Sequence, residues 1–114
     1  MIAVKLTYQD KTLTGIESRG HSGKAPAGRD IVCAAVSTLM QSLMLGLDDI
    51  AQVHGLHVEA DERVPLIRLT WPSSEQGRIS LLTETAAEAL KVIARDNPKH
   101  VKILTEENSN DQKV

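Results

Sequence analysis

The chain has 114 residues, of which 41% are hydrophobic and 25% charged, and its net charge is -2 at pH 7. This length and apolar content suit one compact domain with a single core. The spread of Lys and Arg along the chain and an aromatic content of 2% argue against direct binding of nucleic acid, which needs a basic surface and stacking side chains.

From the sequence pattern we expect neither a signal peptide nor a membrane span. Apolar and polar side chains alternate from Ile2 onward, whereas a signal peptide has a charged start followed by an apolar run. The longest apolar stretch, residues 31–47, contains four polar residues and is short for a membrane span. We therefore expect a cytoplasmic protein that does not bind a membrane.

Two alternating segments, residues 1–8 and 12–19, predict an antiparallel hairpin with a short turn between them. Residues 20–28 then contain three glycines and a proline, which is typical of a loop. Asp30 is a good N-cap for a helix over residues 31–53. Because apolar side chains lie nearly all round this helix, we expect it to be buried on most of its surface.

The second half of the chain repeats this order of elements. Residues 56–58 and 67–71 predict a second hairpin, and residues 75–96 predict a helix that Asn97-Pro98 ends. Residues 101–104 favour a last strand. The inward stripe of the second helix is expected to contain Ile79, Leu82, Ala86, Ala89 or Leu90, and Ile93.

These elements predict an α+β fold in the order β-β-α-β-β-α-β. Such an order is typical of a two-layer sandwich with two helices on a mainly antiparallel sheet. We expect one domain over residues 1–106 and a polar, flexible tail over residues 107–114, with fraying from Glu106 onward.

Cys33 is the only cysteine, so it cannot form a disulfide within the chain. With Asp30 as N-cap, Cys33 is the third residue of the helix, where free backbone N–H groups and the helix dipole favour a thiolate. The same N–H groups could form an oxyanion hole. A lone Cys among Ala, Val and Leu is, however, more often inert core, and the residues alone leave both interpretations open.

Three neighbours could support a nucleophilic thiol. His21 lies twelve positions before Cys33, and a loop of that length can fold its imidazole over the helix start to act as a base. Asp30 can accept from the Cys33 N–H, which fixes the helix start, although its charge opposes a thiolate. Ser37 lies one turn after Cys33 and either faces the site or bonds back to the Cys33 carbonyl.

Two other kinds of site fit less well. The run Gly20-His21-Ser22-Gly23-Lys24 lacks the glycine spacing and the Lys-Ser/Thr pair of a P-loop. A zinc site would need His54 and His57 to join His21 and Cys33 from a distant turn. We therefore expect neither a metal nor a cofactor.

Residues 20–37, GHSGKAPAGRDIVCAAVS, closely resemble the signature of the ribosomal-processing cysteine proteases called Prp. That signature is G-H, a variable loop, and then G-x-D-x-V-C-A-x-x-S, and the His-to-Cys spacing also matches. Asp30 and Ser37 match its other positions. The chain length and the order of elements agree with the family over the rest of the chain.

The resemblance implies a catalytic dyad of His21 and Cys33. From its glycines we expect the loop that contains Gly20, Ser22, Gly23 and Gly28 to close over an extended substrate. The resemblance also implies an endopeptidase that removes the N-terminal extension of a large-subunit ribosomal protein in bacteria, and a homodimer. The alternative is a non-catalytic, ribosome-associated protein-binding module in which Cys33 is part of the core.

Overall fold

The computed structural model describes residues 1–21 and 30–109 and contains five strands and two α-helices. Their order, β-β-α-β-β-α-β, is the predicted one. The elements are β1 (Ile2–Gln9), β2 (Thr12–Arg19), α1 (Ile31–Leu45), β3 (His57–Asp61), β4 (Leu66–Thr70), α2 (Gln76–Asp96) and β5 (Val101–Asn108). A π-helical turn, Gly46–Ile50, continues α1, and a 3-10 turn, Ser73–Glu75, precedes α2.

The strands form one sheet in the order β3-β4-β2-β1-β5. The pairs β1–β2, β2–β4 and β3–β4 are antiparallel, and β1–β5 is parallel. The predicted α+β class and the mainly antiparallel sheet are therefore confirmed.

One face of the sheet holds the core, and the other carries charge. Ile2, Val4 and Leu6 of β1 are buried against the helices, as their alternation predicts. On the opposite face Arg68 Nε donates to Glu17 Oε1 at 2.7 Å. The hydrogen bond that Arg68 donates to Glu17, together with the negative charge of Glu17, raises the pKa of Arg68. Both helices therefore lie on a single side, and the fold has two layers.

The expectation that α1 is buried on most of its surface is wrong. Its buried residues form a single stripe, Val32, Val36, Met40 and Leu43. An 18-residue window within residues 31–50 has a mean hydropathy of 1.6, yet only 28% of that window is buried. By length and composition alone this helix could cross a membrane, but so could some core helices of globular proteins. The helix therefore leaves an apolar outer side exposed.

The inward stripe of α2 is rotated from the predicted one. Ile79, Ala86 and Leu90 are buried as expected, but Thr83 is fully buried and Leu82 is 37% exposed. The reason is a buried polar chain, in which Trp71 Nε1 donates to Gln76 Oε1 at 2.9 Å and Gln76 Nε2 donates to Thr83 Oγ1 at 2.9 Å. Because a buried amide needs partners, Thr83 faces the core and Leu82 is turned outward.

β5 is longer than predicted. It pairs with β1 as far as Asn108, and the Lys11 N–H donates to Glu107 at 2.9 Å. Glu106 and Glu107 therefore belong to a strand rather than to a frayed tail. Residues 110–114 lie outside the described part of the chain.

Candidate active site

Asp30 caps α1 and thereby fixes the position of Cys33. Its backbone is extended, with φ -87° and ψ 112°, and its Oδ1 accepts from the N–H groups of Val32 at 2.9 Å and Cys33 at 3.1 Å. The predicted N-cap is confirmed. Cys33 is the third residue of the helix, is half-buried and packs against the edge of the core.

A cavity of about 170 Å³ lies beside Cys33. Four of the predicted site residues line it, namely Gly20, His21, Cys33 and Ser37. Ser37 is exposed, so its hydroxyl is accessible from the cavity. The structure thus brings the predicted base, nucleophile and supporting hydroxyl to one place.

The rest of the cavity wall was not predicted from the sequence. Five further residues contribute to it, namely Ile2, Ser18, Val36, Pro65 and Ile67. They meet because Ser18 of β2 lies opposite both Val4 of β1 and Ile67 of β4 in the sheet. Only the strand register places these segments together, and no local pattern encodes that register. Of these five residues, only Val36 could have been predicted from the sequence, because it lies one helical turn after Cys33 along α1.

Gly20 holds the chain in place just before His21. Its φ is +100°, its N–H donates to the Pro65 carbonyl at 2.9 Å, and an added Cβ would lie 2.6 Å from the Met1 carbonyl oxygen. Only glycine fits this backbone and this close contact. The end of β2 is therefore fixed to the β3–β4 turn, and His21 starts from a defined position. Ser22, Gly23 and Gly28, the other predicted loop residues, lie outside the described residues.

Three backbone N–H groups at the start of α1 are already occupied. Those of Val32 and Cys33 donate to Asp30 Oδ1, and that of Ala34 donates to the Asp30 carbonyl at 3.0 Å. Asp30 is only 4% exposed, so water does not readily replace these bonds. The expectation that these groups form an oxyanion hole is wrong for all three. The Ser37 hydroxyl is another donor on the cavity wall.

The structure does not assemble the zinc site considered from the sequence. Over residues 1–21 and 30–109, no three His, Cys, Asp or Glu side chains form a group that could hold a metal ion. His57 lies opposite Thr70, at the end of the β3–β4 pair away from the cavity. The His54 N–H donates to Glu75, and Arg78, with that N–H, lowers the pKa of the Glu75 carboxyl.

The close contacts of Gly20 should make its replacement destabilising. Gly20→Ala should lower the free energy of unfolding by about 1–3 kcal/mol, because Ala is strained at this φ and its Cβ overlaps a backbone oxygen. Urea unfolding measures the change. Gly77→Ala is the matched control, since an added Cβ there meets nothing within 4 Å and Ala favours a helix by up to about 1 kcal/mol. Equal stability of the Gly20→Ala protein and the wild type would contradict the strain.

Comparisons with known proteins agree with the fold described above. The crystal structure of the essential ribosomal-processing protease Prp from S. aureus, in complex with a covalently linked product peptide, superimposes with a TM-score of 0.83 at 18% identity, covering 93% of this chain and 100% of that one. The same protease in complex with a substrate peptide gives a TM-score of 0.77 at the same identity and coverage. These two likenesses concern the fold.

A third structure, SMU.848 from Streptococcus mutans, is 26% identical, with a TM-score of 0.75 over 95% of this chain and 96% of that one. No curated protein sequence matches the chain significantly. The family model described as cysteine protease Prp matches residues 1–102, which include the capped Cys33, the cavity and most of the sheet. The chain therefore belongs to the Prp family of cysteine proteases.

Proposed function

We propose that this cysteine protease removes the N-terminal extension of a large-subunit ribosomal protein, with Cys33 as nucleophile and His21 as base. The observation that carries the proposal is that Cys33, half-buried in the first turn of α1, lines the same small cavity as His21. Membership of the Prp family supports the reaction type. The alternative of a non-catalytic module with Cys33 in the core has no such support.

The reaction proceeds by acyl transfer. His21 takes the proton of the Cys33 thiol, and the thiolate attacks the carbonyl carbon of the scissile peptide bond. The C–N bond breaks, and His21 gives the proton to the departing amine, which leaves a thioester on Cys33. His21 then deprotonates a water molecule that attacks the thioester, and the carboxylate product leaves as the thiol reforms. The covalently linked product peptide in the S. aureus Prp structure is consistent with such an intermediate.

We propose that the Ser37 hydroxyl donates a hydrogen bond to the oxyanion. The tetrahedral intermediate places a negative charge on the former carbonyl oxygen, and a fixed donor near that oxygen lowers the barrier. Val32, Cys33 and Ala34 have committed their N–H groups to Asp30. Ser37 lies one helical turn after Cys33 and lines the same cavity.

The cavity also suggests what the substrate presents. Apart from Ser18 and the reactive groups, its described wall consists mainly of Ile2, Val36, Pro65 and Ile67. An apolar side chain next to the scissile bond would bury its surface there. A ribosomal protein as substrate is supported by the S. aureus relative, which is a ribosomal-processing protease seen with a substrate peptide.

We further propose that the protein acts in the bacterial cytoplasm, where ribosomes mature, and that it forms a homodimer. The cytoplasmic site is supported by the free Cys33 thiol, since thiols stay reduced in that compartment. The homodimer follows from the family resemblance. No metal, cofactor, membrane or nucleic acid enters the proposed reaction.

The nucleophile is tested by Cys33→Ala. We expect cleavage of a peptide that spans the junction between the extension and the mature ribosomal protein to fall by at least about 10³-fold, because the variant cannot form the thioester. Product formation is followed by mass spectrometry. His57→Ala, which changes a residue far from the cavity, should cleave at the wild-type rate. Cleavage by Cys33→Ala at the wild-type rate would refute the proposal.

The oxyanion donor is tested by Ser37→Ala. We expect kcat to fall about 10²-fold with little change in KM, because the lost hydrogen bond forms mainly in the transition state. Alkylation of Cys33 by iodoacetamide needs the thiolate but no oxyanion donor, so its rate should stay at the wild-type value. Thr38→Ala removes a neighbouring exposed hydroxyl as a control. A slower alkylation in Ser37→Ala, or an unchanged kcat, would exclude this role.

A further inference from the structure

Ser18 is a buried polar side chain in the wall of the cavity at Cys33. It lies on β2 opposite Val4 and Ile67, so its side chain points to the face of the sheet that holds the core. Only 8% of Ser18 is exposed, yet it contributes to the cavity wall. We infer that the Ser18 hydroxyl determines substrate specificity by forming a hydrogen bond with the phenol hydroxyl of a tyrosine that precedes the scissile bond.

The surroundings of Ser18 make its hydroxyl dependent on what enters the cavity. Its neighbours on the same face of the sheet, Val4, Ile16 and Ile67, are all apolar. Within residues 1–21 and 30–109 no hydrogen bond joins the Ser18 hydroxyl to another residue. A hydroxyl that is removed from water without a partner is destabilising. A substrate side chain that displaces water from Ser18 must therefore supply a hydrogen-bond partner.

The volume of the cavity suits one aromatic ring. It is about 170 Å³, and an apolar cavity of ~150 Å³ inside a protein accepts one benzene molecule. Ile2, Val36 and Ile67 give the ring apolar walls. A shorter side chain that carries a hydroxyl, such as that of threonine, would leave much of this volume unfilled.

The polarity of the wall selects among the large side chains. In the part of the chain that the structure describes, no Asp, Glu, Lys or Arg lines the cavity, so a charged side chain finds no partner of opposite charge there. His21 and Ser37 are exposed, whereas Ser18 is buried, so Ser18 lies on the floor of the cavity. Tyrosine has an apolar ring and a hydroxyl at its far end, and a serine hydroxyl can both donate to and accept from that hydroxyl.

The residue that precedes the scissile bond is the one expected in this cavity. This inference rests on the proposed function, in which Cys33 attacks the carbonyl carbon of that residue and then holds the residue as a thioester. Its side chain therefore stays beside Cys33 through both steps of the reaction. The proposed function requires only an apolar surface here, and Ser18 adds the selection of tyrosine over phenylalanine.

The test compares two junction peptides that differ only in the residue before the scissile bond, which is tyrosine or phenylalanine. For the wild type we expect kcat/KM to be at least about fivefold higher for the tyrosine peptide, because phenylalanine leaves the Ser18 hydroxyl without a partner. Ser18→Ala removes only the hydroxyl and should bring the two values within about twofold of each other. A role of Ser18 in the fold alone would change both values by the same factor.

The control is Ser37→Ala, which removes the other serine hydroxyl of the described wall and should slow cleavage of both peptides equally. Calorimetry with the Cys33→Ala variant tests the pocket without the chemistry. The tyrosine peptide should bind about fivefold more tightly than the phenylalanine peptide, and adding Ser18→Ala should abolish the difference.

The outcomes separate this inference from the proposed function. Cleavage of both peptides with equal kcat/KM by the wild type, or a tyrosine preference that Ser18→Ala retains, would overturn the inference and leave the proposed function standing. Tighter binding of the tyrosine peptide without cleavage of either peptide by the wild type would overturn the proposed function and leave the role of Ser18 standing. A protein that neither binds nor cleaves the peptides would overturn both.

Discussion

The capping of α1 by Asp30 is the interaction on which the site depends. One buried carboxylate oxygen accepts from two successive N–H groups and thereby sets which residue occupies the third helical position. That residue is Cys33, and the helix dipole favours negative charge there. The same bonds withdraw those N–H groups from any substrate. The cap thus positions the nucleophile. Because it occupies these N–H groups, the oxyanion needs another hydrogen-bond donor, for which we propose Ser37.

The second constraint is the sheet register at the cavity. β1 begins, β2 ends and β4 begins at neighbouring positions, so that Ile2, Gly20 and Pro65 surround the thiol. Gly20 connects these segments, because its N–H bonds to Pro65 and its missing side chain makes room for Met1. His21 follows directly. A helix start and three strand ends therefore converge at the cavity; the Asp30 carboxylate fixes the helix start, and backbone hydrogen bonds between the strands fix the strand ends.

Sequence patterns predicted what depends on local structure. Alternation gave the strands, and the Asp30 cap and the G-H to Cys motif located His21, Cys33 and Ser37. Sequence patterns failed where contacts between residues far apart in the sequence determine which side chains face the core or the cavity. Thr83 faces the core because Gln76 needs a partner, and Pro65 and Ile67 reach Cys33 only through strand pairing. The exposed side of α1 was missed because apolar side chains all round a helix do not show how much of the helix other elements of the fold cover.

The central claim is that His21 activates Cys33. The most direct measurement is the rate at which iodoacetamide alkylates Cys33 at neutral pH, and mass spectrometry reads it without ambiguity because the chain has one cysteine. The account predicts that the wild type and the His57→Ala control react at least about tenfold faster than His21→Ala, since the imidazole takes the thiol proton. Equal rates in the wild type and His21→Ala would contradict it.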